Sequence, residues 1–302
     1  MRILLLEYVT GGGLAGRPCP ASLAREGAAM RDALLQDLTA LPGVELTVSV
    51  DPRFPVPAPC GAHSAAVKRR DRGWLQRLVV DADAVWLIAP ETGGRLARLA
   101  ALVESSGRML LGPASSSIRR AAHRARLLRR LARAGVPVPE SWTVAGTHIC
   151  QNRPAPSPPA HAFPFIVKPG RGAGGAGVTL VRQVAALPAA IEAARAVDRR
   201  AAVLLQRYLP GLSASVSLVC DGARALPLAL NAQLVRLEPF AYHGGVTPLA
   251  HPLASRALEV AVAACQAVPG LRGYVGVDLV LTEAEAVVLE INPRLTTSYL
   301  GL

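Results

Sequence analysis

The chain has 302 residues, half of them apolar but only 4% aromatic, so alanine, leucine and valine must fill most of its core. No apolar run is long enough to span a bilayer, which argues against a membrane protein. No pair of cysteines has the spacing of a zinc site. Together these observations predict a soluble, cytoplasmic protein. The net charge of +12 suits an anionic partner, but arginines spread along the chain carry most of it. We therefore expect a basic surface around an enzyme for small anionic molecules, with neither a membrane nor a nucleic acid as its partner.

The first 112 residues alternate predicted strands with predicted helices. Apolar runs indicate four strands, at residues 2–7, 44–50, 84–89 and 109–112. Helices are expected between them, at 22–41, at 74–80 and within 91–104. This alternation predicts a small three-layer α/β domain built on a parallel sheet. A glycine triplet after the first strand predicts a flexible loop, but it lacks the GxGxxG spacing of a dinucleotide site.

The middle of the chain, residues 113–208, is predicted to form a lobe around a glycine-rich β-hairpin. One strongly basic helix at 115–134 opens this lobe, and a proline-rich surface loop follows at 151–162. The hairpin, a further helix and a further strand are expected at 165–181, 187–197 and 202–209.

The last part, residues 209–302, is predicted to be mainly antiparallel sheet. The turn Asp221-Gly222 separates two alternating strands, as in a hairpin. One hairpin is predicted at 215–230 and a second at 273–292, with a helix between them at 255–268. The sequence thus predicts an α/β protein of three units: a parallel-sheet domain at 1–112, a glycine-loop lobe at 113–208 and a C-terminal lobe at 209–302.

Lys168 and the glycines that follow it form the first candidate site. Lys168 ends an apolar strand, and five of the next positions are glycine: Gly170, Gly172, Gly174, Gly175 and Gly177. Without Cβ atoms, such a loop can lay its N–H groups against phosphate oxygens. The lysine precedes the glycines, so this is not a Walker A loop. An ordinary flexible hairpin is the alternative, but glycine weakens a hairpin, which favours a flap over a nucleotide.

Asp278, Glu290 and Asn292 form the second candidate site. Residues two apart on a strand face the same way, so Glu290 and Asn292 share a face, and Asp278 interrupts the apolar partner strand. Two carboxylates and an amide oxygen suit Mg²⁺ shared with phosphate, and Mn²⁺ suits the same ligands. An isolated acid on a strand edge is the alternative for Asp278. Arg294 is placed to meet an anion with its planar fork.

Together these segments resemble the ATP-grasp superfamily of carboxylate–amine ligases. The resemblance rests on VKP with its glycine loop at 167–177, QRYLPG at 206–211, GVD at 276–278 and LEINPR at 289–294. It implies a pre-ATP-grasp domain followed by a two-lobed ATP-grasp fold, ATP and Mg²⁺ as cofactors, and Lys168 and Arg294 in catalysis. The implied nucleotide-binding residues are Arg124, Lys168, Gly172, Gly174, Gly175, Gly177, Gln206, Arg207, Tyr208 and Leu209. The implied metal ligands are Asp278, Glu290 and Asn292.

Three positions depart from the superfamily's pattern. Gln206 stands where an acidic residue is frequent, and Ser213 stands where many members place a glutamate on the ribose hydroxyls. His123-Arg124 stands in place of an Asp-Lys pair, so Arg124 matches the cation of that pair and the acid is missing. The first two departures concern the affinity for the nucleoside and leave the phosphate and metal chemistry in place.

A finer resemblance is to the tyramine–L-glutamate ligase group of methanofuran-type cofactor biosynthesis. It rests on segments at 7–13, 23–30, 89–91, 230–233 and 292–302. It implies that an amide forms through an acyl phosphate from small-molecule substrates, L-glutamate and an aromatic amine, and a homodimer is one assembly to expect. The implied substrate residues are Asn231, Gln233, Tyr242, His243, Thr296 and Thr297. For His243, a solvent-facing loop histidine is an equal alternative.

Two other functions stay open at this point. One is an ATP-grasp ligase or carboxylase with a different substrate. The other is a non-catalytic nucleotide-binding or nucleic-acid-associated protein, which would draw on the net charge of +12. Release of ADP in the presence of acid and amine pairs separates a ligase from a non-catalytic binding protein.

Overall fold

The computed structural model describes residues 1–57, 61–69, 73–145, 148–151, 163–172, 174–199 and 202–302. The described strands form three five-stranded sheets, with helices packed against them. This architecture, parallel at the N-terminus and antiparallel afterwards, confirms the predicted fold class. Residues 152–162 of the predicted proline-rich loop lie outside the described residues, as does Ala173 of the glycine-rich loop. None of the described helices combines the length and apolar character of a bilayer crossing.

The N-terminal sheet is parallel and has the order β3-β2-β1-β4-β5. Strands β1 to β5 are Arg2–Glu7, Glu45–Val50, His63–Ala66, Ala84–Ile88 and Met109–Leu110. Helices α1, α2 and α3 are Ala21–Thr39, Trp74–Val80 and Arg95–Ser105. Successive residues of β1 face opposite sides, so Leu4 packs toward α2 and α3 while Leu5 packs toward α1. Strand β3 was not predicted, because it is a short and largely exposed edge strand without an apolar pattern.

The glycine triplet after β1 lies in a buried helical turn. Every residue of the turn Val9–Gly13 is buried. The Glu7 carboxylate fixes it by accepting hydrogen bonds from Val9 N at 2.9 Å and Thr10 N at 2.6 Å. Gly12 has φ +101°, and a Cβ there would collide with a neighbouring side chain. The glycines therefore mark close packing, and not the flexible loop that they predict.

Residues 115–134 form two helices instead of the single predicted one. Helix α4 covers Ser115–Ala122 and α5 covers Arg124–Arg133. They meet at His123, whose ψ of 84° lies outside the helical range. The break places Arg124 at the start of α5, where its N–H reaches the carbonyl of Gly170 at 3.3 Å. The basic helix is thereby joined to the glycine-rich loop.

The second sheet is antiparallel and has the order β7-β6-β10-β8-β9. Strands β6 to β10 are Ser141–Ala145, His148–Gln151, Phe165–Pro169, Thr179–Val181 and Val203–Arg207. Phe165 pairs with Val181, which confirms the predicted hairpin around the glycine-rich loop. Helix α6 (Leu187–Val197) covers one face, and Leu128 of α5 packs against Leu204 on the other.

The third sheet is antiparallel and has the order β13-β12-β11-β14-β15. Strands β11 to β15 are Leu212–Asp221, Ala225–Leu237, Phe240–Val246, Arg272–Leu281 and Ala286–Asn292. Helix α7 (Ala254–Gln266) covers one face together with Leu127 and Leu131 of α5. Both predicted hairpins are present, but β13 was missed because Gly244 and Gly245 interrupt any alternating pattern. The domain boundaries at 112 and 208 stay predictions.

Candidate active site

The third sheet brings the predicted metal ligands together into an acid cluster of Asp278, Glu290 and Asn292. Asp278 on β14 stands opposite Glu290 on β15. Asn292 donates from Nδ2 to Asp278 Oδ2 at 3.0 Å. Gln233 reaches from β12 and donates from Nε2 to Asp278 Oδ1 at 3.0 Å. Two amides therefore fix both oxygens of Asp278 beside the carboxylate of Glu290.

The two carboxylates of the acid cluster differ strongly in acidity. Burial, followed by the neighbouring negative charge of Glu290, raises the pKa of Asp278 to about 7. Burial also disfavours the charge of Glu290, but the positive charges of Arg124 and Lys168 outweigh it and lower the pKa of Glu290 to about 2. Two acids that repel one another in this way form a site that a divalent cation would stabilise.

A Mg²⁺ ion fits the donor set of the acid cluster. Across the described ranges, no group of three or more His, Cys, Asp or Glu side chains is placed to hold a metal. The cluster offers two carboxylates and one amide instead. Mg²⁺ is commonly held by one or two carboxylates, with water and substrate phosphates completing its shell.

Arg124 connects the acid cluster to the glycine-rich loop. Its Nε donates to Glu290 Oε2 at 2.9 Å. Its Nη1 and Nη2 donate to the carbonyl oxygens of Pro169 and Gly172 at 2.9 and 2.8 Å. Its side chain is only 10% exposed. The structure thus brings Arg124 into the site, but its donors bind oxygens of the chain, so its contact with a phosphate stays a prediction.

Lys168 and Gln206 lie on one face of the second sheet, toward α5. Lys168 on β8 pairs with Leu204 on β10, and Gln206 lies two residues further along the same strand. Gln206 is buried, and its Nε2 has no hydrogen-bond partner among the described residues. Arg207 faces the other way and pairs with Glu140 at 3.1 Å on the surface. The contacts of 206–209 with adenine stay predictions.

The glycine-rich loop packs against the turn between β12 and β13. Gly174, Gly175 and Gly177 have φ values of +69°, +73° and +71°, a region that favours glycine. The ring of Phe240 occupies the space that a Cβ on Gly175 would need. Arg182, just after β9, pairs with Glu238 of this turn at 3.0 Å. The second and third sheets therefore meet at the loop.

Lys168 gives the site a measurable pH dependence. Burial, helped by the positive charge of Arg124, lowers the pKa of Lys168 to about 8, against the attraction of Glu290 and Asp278. The ammonium is then mostly charged near pH 7 and mostly neutral above about pH 9. We expect the affinity for Mg·ATP, measured by calorimetry, to fall about tenfold between pH 7 and 9.5.

The Lys168→Arg variant is the control for this pH dependence. Arginine keeps its charge throughout this range, so the affinity of the variant should stay level. The same fall in both proteins would show that Lys168 is not the titrating group.

A cavity of about 780 Å³ lies between helix α1 and the third sheet. Four of the six predicted substrate residues line it: Asn231, Tyr242, His243 and Thr297. The other two are not among its lining residues: Gln233 bonds to Asp278 and Thr296 to Tyr274. Neighbouring polar groups hold these two side chains, and their role in substrate binding stays a prediction.

Helix α1 contributes one wall of the cavity that sequence reasoning missed. The residues involved are Ser22, Arg25, Glu26 and Ala29. The motif at 23–30 was the signal that could have found them. Burial raises the pKa of the Glu26 carboxyl, against the attraction of Arg294. The carboxyl group of Glu26 therefore faces the cavity from helix α1.

Asn231 presents an unpaired acceptor in the cavity wall. Its side chain is 1% exposed. Its Nδ2 donates to Ser217 Oγ at 3.0 Å and to the Ser215 carbonyl at 3.1 Å. Its Oδ1 is buried and has no partner within the described parts of the chain. Such an oxygen can accept an N–H or O–H from a ligand.

Arg294 is paired with an acid from the segment that follows β4. Its Nε donates to Glu91 Oε1 at 2.9 Å. Burial opposes the charge of Arg294, but Glu91 and the more distant acid cluster outweigh it and raise its pKa. Contact of Arg294 with a transferring phosphate stays a prediction. Glu91 is a residue of this region that sequence reasoning did not assign to a site.

Two family models match the chain. One described as an ATP-grasp domain matches residues 121–298. One described as a pre ATP-grasp 3 domain matches residues 44–118. The first range contains the glycine-rich loop and the acid cluster.

Two relatives with curated names match part of the chain. The tyramine–L-glutamate ligases of Methanocaldococcus fervens and Methanocaldococcus jannaschii are 39% and 37% identical to it over 99 residues. These matches cover 33% of this chain, and 33% and 31% of the two relatives. The chain thus spans about a third of the length of the relatives that it matches.

Solved structures extend the likeness over nearly the whole chain. A protein from Archaeoglobus fulgidus assigned to the ATP-grasp superfamily superposes with a TM-score of 0.73 at 25% identity, covering 99% of this chain and 83% of that one. The D-alanine–D-alanine ligase of Bacillus anthracis, solved with ATP, superposes with a TM-score of 0.66 at 17% identity over 97% and 86% of the two chains. The second likeness shows a shared fold.

Proposed function

Because this chain belongs to the ATP-grasp family, we propose that it is an ATP-dependent ligase that joins a carboxylate to an amine and releases ADP. The observation that carries the proposal is the meeting of two acids with two cations. Asp278 and Glu290 lie side by side, and the charges of Arg124 and Lys168 act on Glu290. A site of this kind can hold a metal ion and a polyphosphate at once.

Asp278, Glu290 and Asn292 are the residues that would hold Mg²⁺. The bound ion supplies positive charge that balances the phosphates of ATP. Lys168 adds a cation from the second sheet. The glycine-rich loop offers N–H groups and, by covering the phosphates, excludes water. The contribution of the chain is therefore charge and position, which account for most of the catalysis in phosphoryl transfer.

The proposed reaction has two steps and needs no covalent residue. In the first, a carboxylate oxygen of the substrate bonds to the γ-phosphorus of ATP, the bond to the bridging oxygen breaks, and ADP leaves. This gives an acyl phosphate. In the second, the amine nitrogen bonds to the acyl carbon, the bond from that carbon to the phosphate oxygen breaks, and the departing phosphate carries away the proton from nitrogen.

The cavity between α1 and the third sheet is the proposed place for the acid. Its volume of about 780 Å³ suits small molecules. The unpaired Oδ1 of Asn231 offers an acceptor for a substrate N–H. L-glutamate and an aromatic amine such as tyramine are the first pair to test, since relatives named for that pair match a third of the chain. The chain would then act in methanofuran-type cofactor biosynthesis.

A screen of acid and amine pairs tests this function. The purified chain is incubated with Mg·ATP and each pair, and ADP release and product mass are measured. We expect ADP release that depends on both partners, and a product whose mass is that of acid plus amine less one water. If the chain binds ATP measurably but releases no ADP and forms no product with any pair, the ligase proposal is contradicted. Salt-sensitive binding to arbitrary DNA would instead favour the nucleic-acid alternative.

A further inference from the structure

The contact between Glu91 and Arg294 joins two distant parts of the chain at the edge of the candidate site. The two residues are 203 positions apart. Glu91 follows β4, at the carboxyl end of the parallel sheet, where α/β domains commonly bind ligands. Its own carbonyl accepts a hydrogen bond from Gly94 N at 2.8 Å, which fixes the backbone there. Arg294 lies two residues beyond Asn292 of the acid cluster.

The ion pair is one-sided. Arg294 Nε donates to Glu91 Oε1 at 2.9 Å, and Nη1 donates to the carbonyl of Leu295 at 3.1 Å. Nη2 bonds to none of the residues that the structure describes. On the other side, Glu91 Oε2 is buried and has no hydrogen-bond partner among them. Arginine–carboxylate pairs are frequently bidentate, with two parallel N–H···O hydrogen bonds. This pair has only one such bond.

Both partners are largely shielded from water. The Glu91 side chain is 6% exposed and that of Arg294 is 17% exposed. An unpaired carboxylate oxygen in such a place is unfavourable unless a donor reaches it. The pair therefore offers one spare donor and one spare acceptor, two residues along the chain from Asn292 of the acid cluster.

These two spare groups match the two groups that meet in the second step of the proposed reaction. The phosphoryl group of the acyl phosphate is an anion, and the amine carries N–H donors. Contact of Arg294 with the phosphoryl group is the role that the family resemblance already implies, and its Nη2, which bonds to none of the described residues, suits it. We propose that Glu91, beside it, binds the amine, with Oε2 accepting a hydrogen bond from the amine N–H. The segment after β4 would thus supply the amine-binding group of a site whose ATP is held by the other two sheets. This inference rests on the proposed function.

In this arrangement Glu91 orients the amine and is not consumed. The nitrogen bonds to the acyl carbon while one of its N–H groups is held by Oε2. The bond from carbon to the phosphate oxygen then breaks, and the phosphate leaves with the proton as hydrogen phosphate. Arg294 balances the negative charge that gathers on the departing group.

The Glu91→Gln variant tests the proposal, with L-glutamate and tyramine as probes, or with the pair that the screen identifies. The amide keeps the shape of the side chain but loses its charge. We expect the KM for the amine to rise at least tenfold, since a hydrogen bond from the amine to a charged carboxylate is lost. Calorimetric affinity for the amine, in the presence of the acid and a non-hydrolysable ATP analogue, should fall by the same factor. The burst of ADP formed with acid but without amine should stay within threefold.

Two further variants separate this role from a structural one. Glu104→Gln is the matched control. Glu104 is also a glutamate of the N-terminal part of the chain whose carboxylate bonds to a later segment, since it accepts a hydrogen bond from Ser115 N at 2.7 Å. It should leave the amine KM unchanged. Glu91→Asp keeps the charge and should recover part of the amine affinity. It also keeps the test open if Glu91→Gln folds poorly.

The outcomes separate this inference from the proposed function. An active wild type whose Glu91→Gln variant matches it in amine KM and amine affinity contradicts this inference alone. A Glu91→Gln variant that loses thermal stability and both half-reactions together assigns Glu91 a structural role and also contradicts it. A wild-type chain that forms no amide with any pair contradicts the proposed function and this inference with it.

Discussion

Replacing Lys168 with methionine is expected to lower ADP formation by about a hundredfold to a thousandfold, the effect typical of removing one preorganised charge or donor from a transition state. Methionine keeps the length of the side chain but removes the ammonium. The buried strand β8 should therefore keep its packing, and the melting temperature should change little. ADP release under saturating acid and amine measures the effect.

The chain provides a matched control for this variant. Lys68 is the only other lysine in the sequence and it is exposed. Lys68→Met should therefore form ADP at the wild-type rate. A Lys168→Met protein that also turned over normally would show that the phosphate site does not lie at the glycine-rich hairpin.

A loss of about a thousandfold in ADP formation is expected for Glu290→Gln. The glutamine removes one of the two negative charges that would hold Mg²⁺, and it leaves Arg124 without its charged partner at 2.9 Å. We expect the Mg²⁺ concentration for half-maximal activity to rise as well, because the remaining ligands bind the ion more weakly. Titration of activity with Mg²⁺ measures both effects.

Glu285→Gln is the control for the loss of a glutamate on the same hairpin. Glu285 lies at the β14–β15 turn and pairs with Arg256 at 3.1 Å on the surface. Surface pairs of this kind contribute little to stability, so this variant should behave like the wild type. Normal activity of Glu290→Gln at the wild-type Mg²⁺ requirement would refute the assignment of Glu290 as a metal ligand.

Most of the fold follows from patterns that are local in the sequence. Apolar runs between helical segments predict the parallel sheet, and the turn at Asp221-Gly222 predicts its hairpin. The acid cluster follows from the same logic, because Glu290 and Asn292 are two apart on a strand and Asp278 lies on the neighbouring strand of one hairpin. Short-range periodicity is enough to bring these three side chains together.

The features that sequence reasoning missed depend on contacts between distant segments. Nothing near Glu91 indicates that it pairs with Arg294, because tertiary packing alone brings the two residues together. The break at His123 belongs to the same class, since the contact of Arg124 with the glycine-rich loop lies outside any helical pattern. Strand β13 was missed for a different reason: it pairs through its backbone, which two glycines permit but do not predict.

Transfer of ¹⁸O from the substrate carboxylate to phosphate tests the acyl-phosphate route most directly. The chain is incubated with Mg·ATP, the amine and the acid labelled with ¹⁸O in its carboxylate, and the phosphate released is examined by mass spectrometry. We predict one labelled oxygen in each phosphate, with one ADP formed for each amide. Phosphate without the label, or AMP and pyrophosphate as products, would contradict an ADP-forming carboxylate–amine ligase.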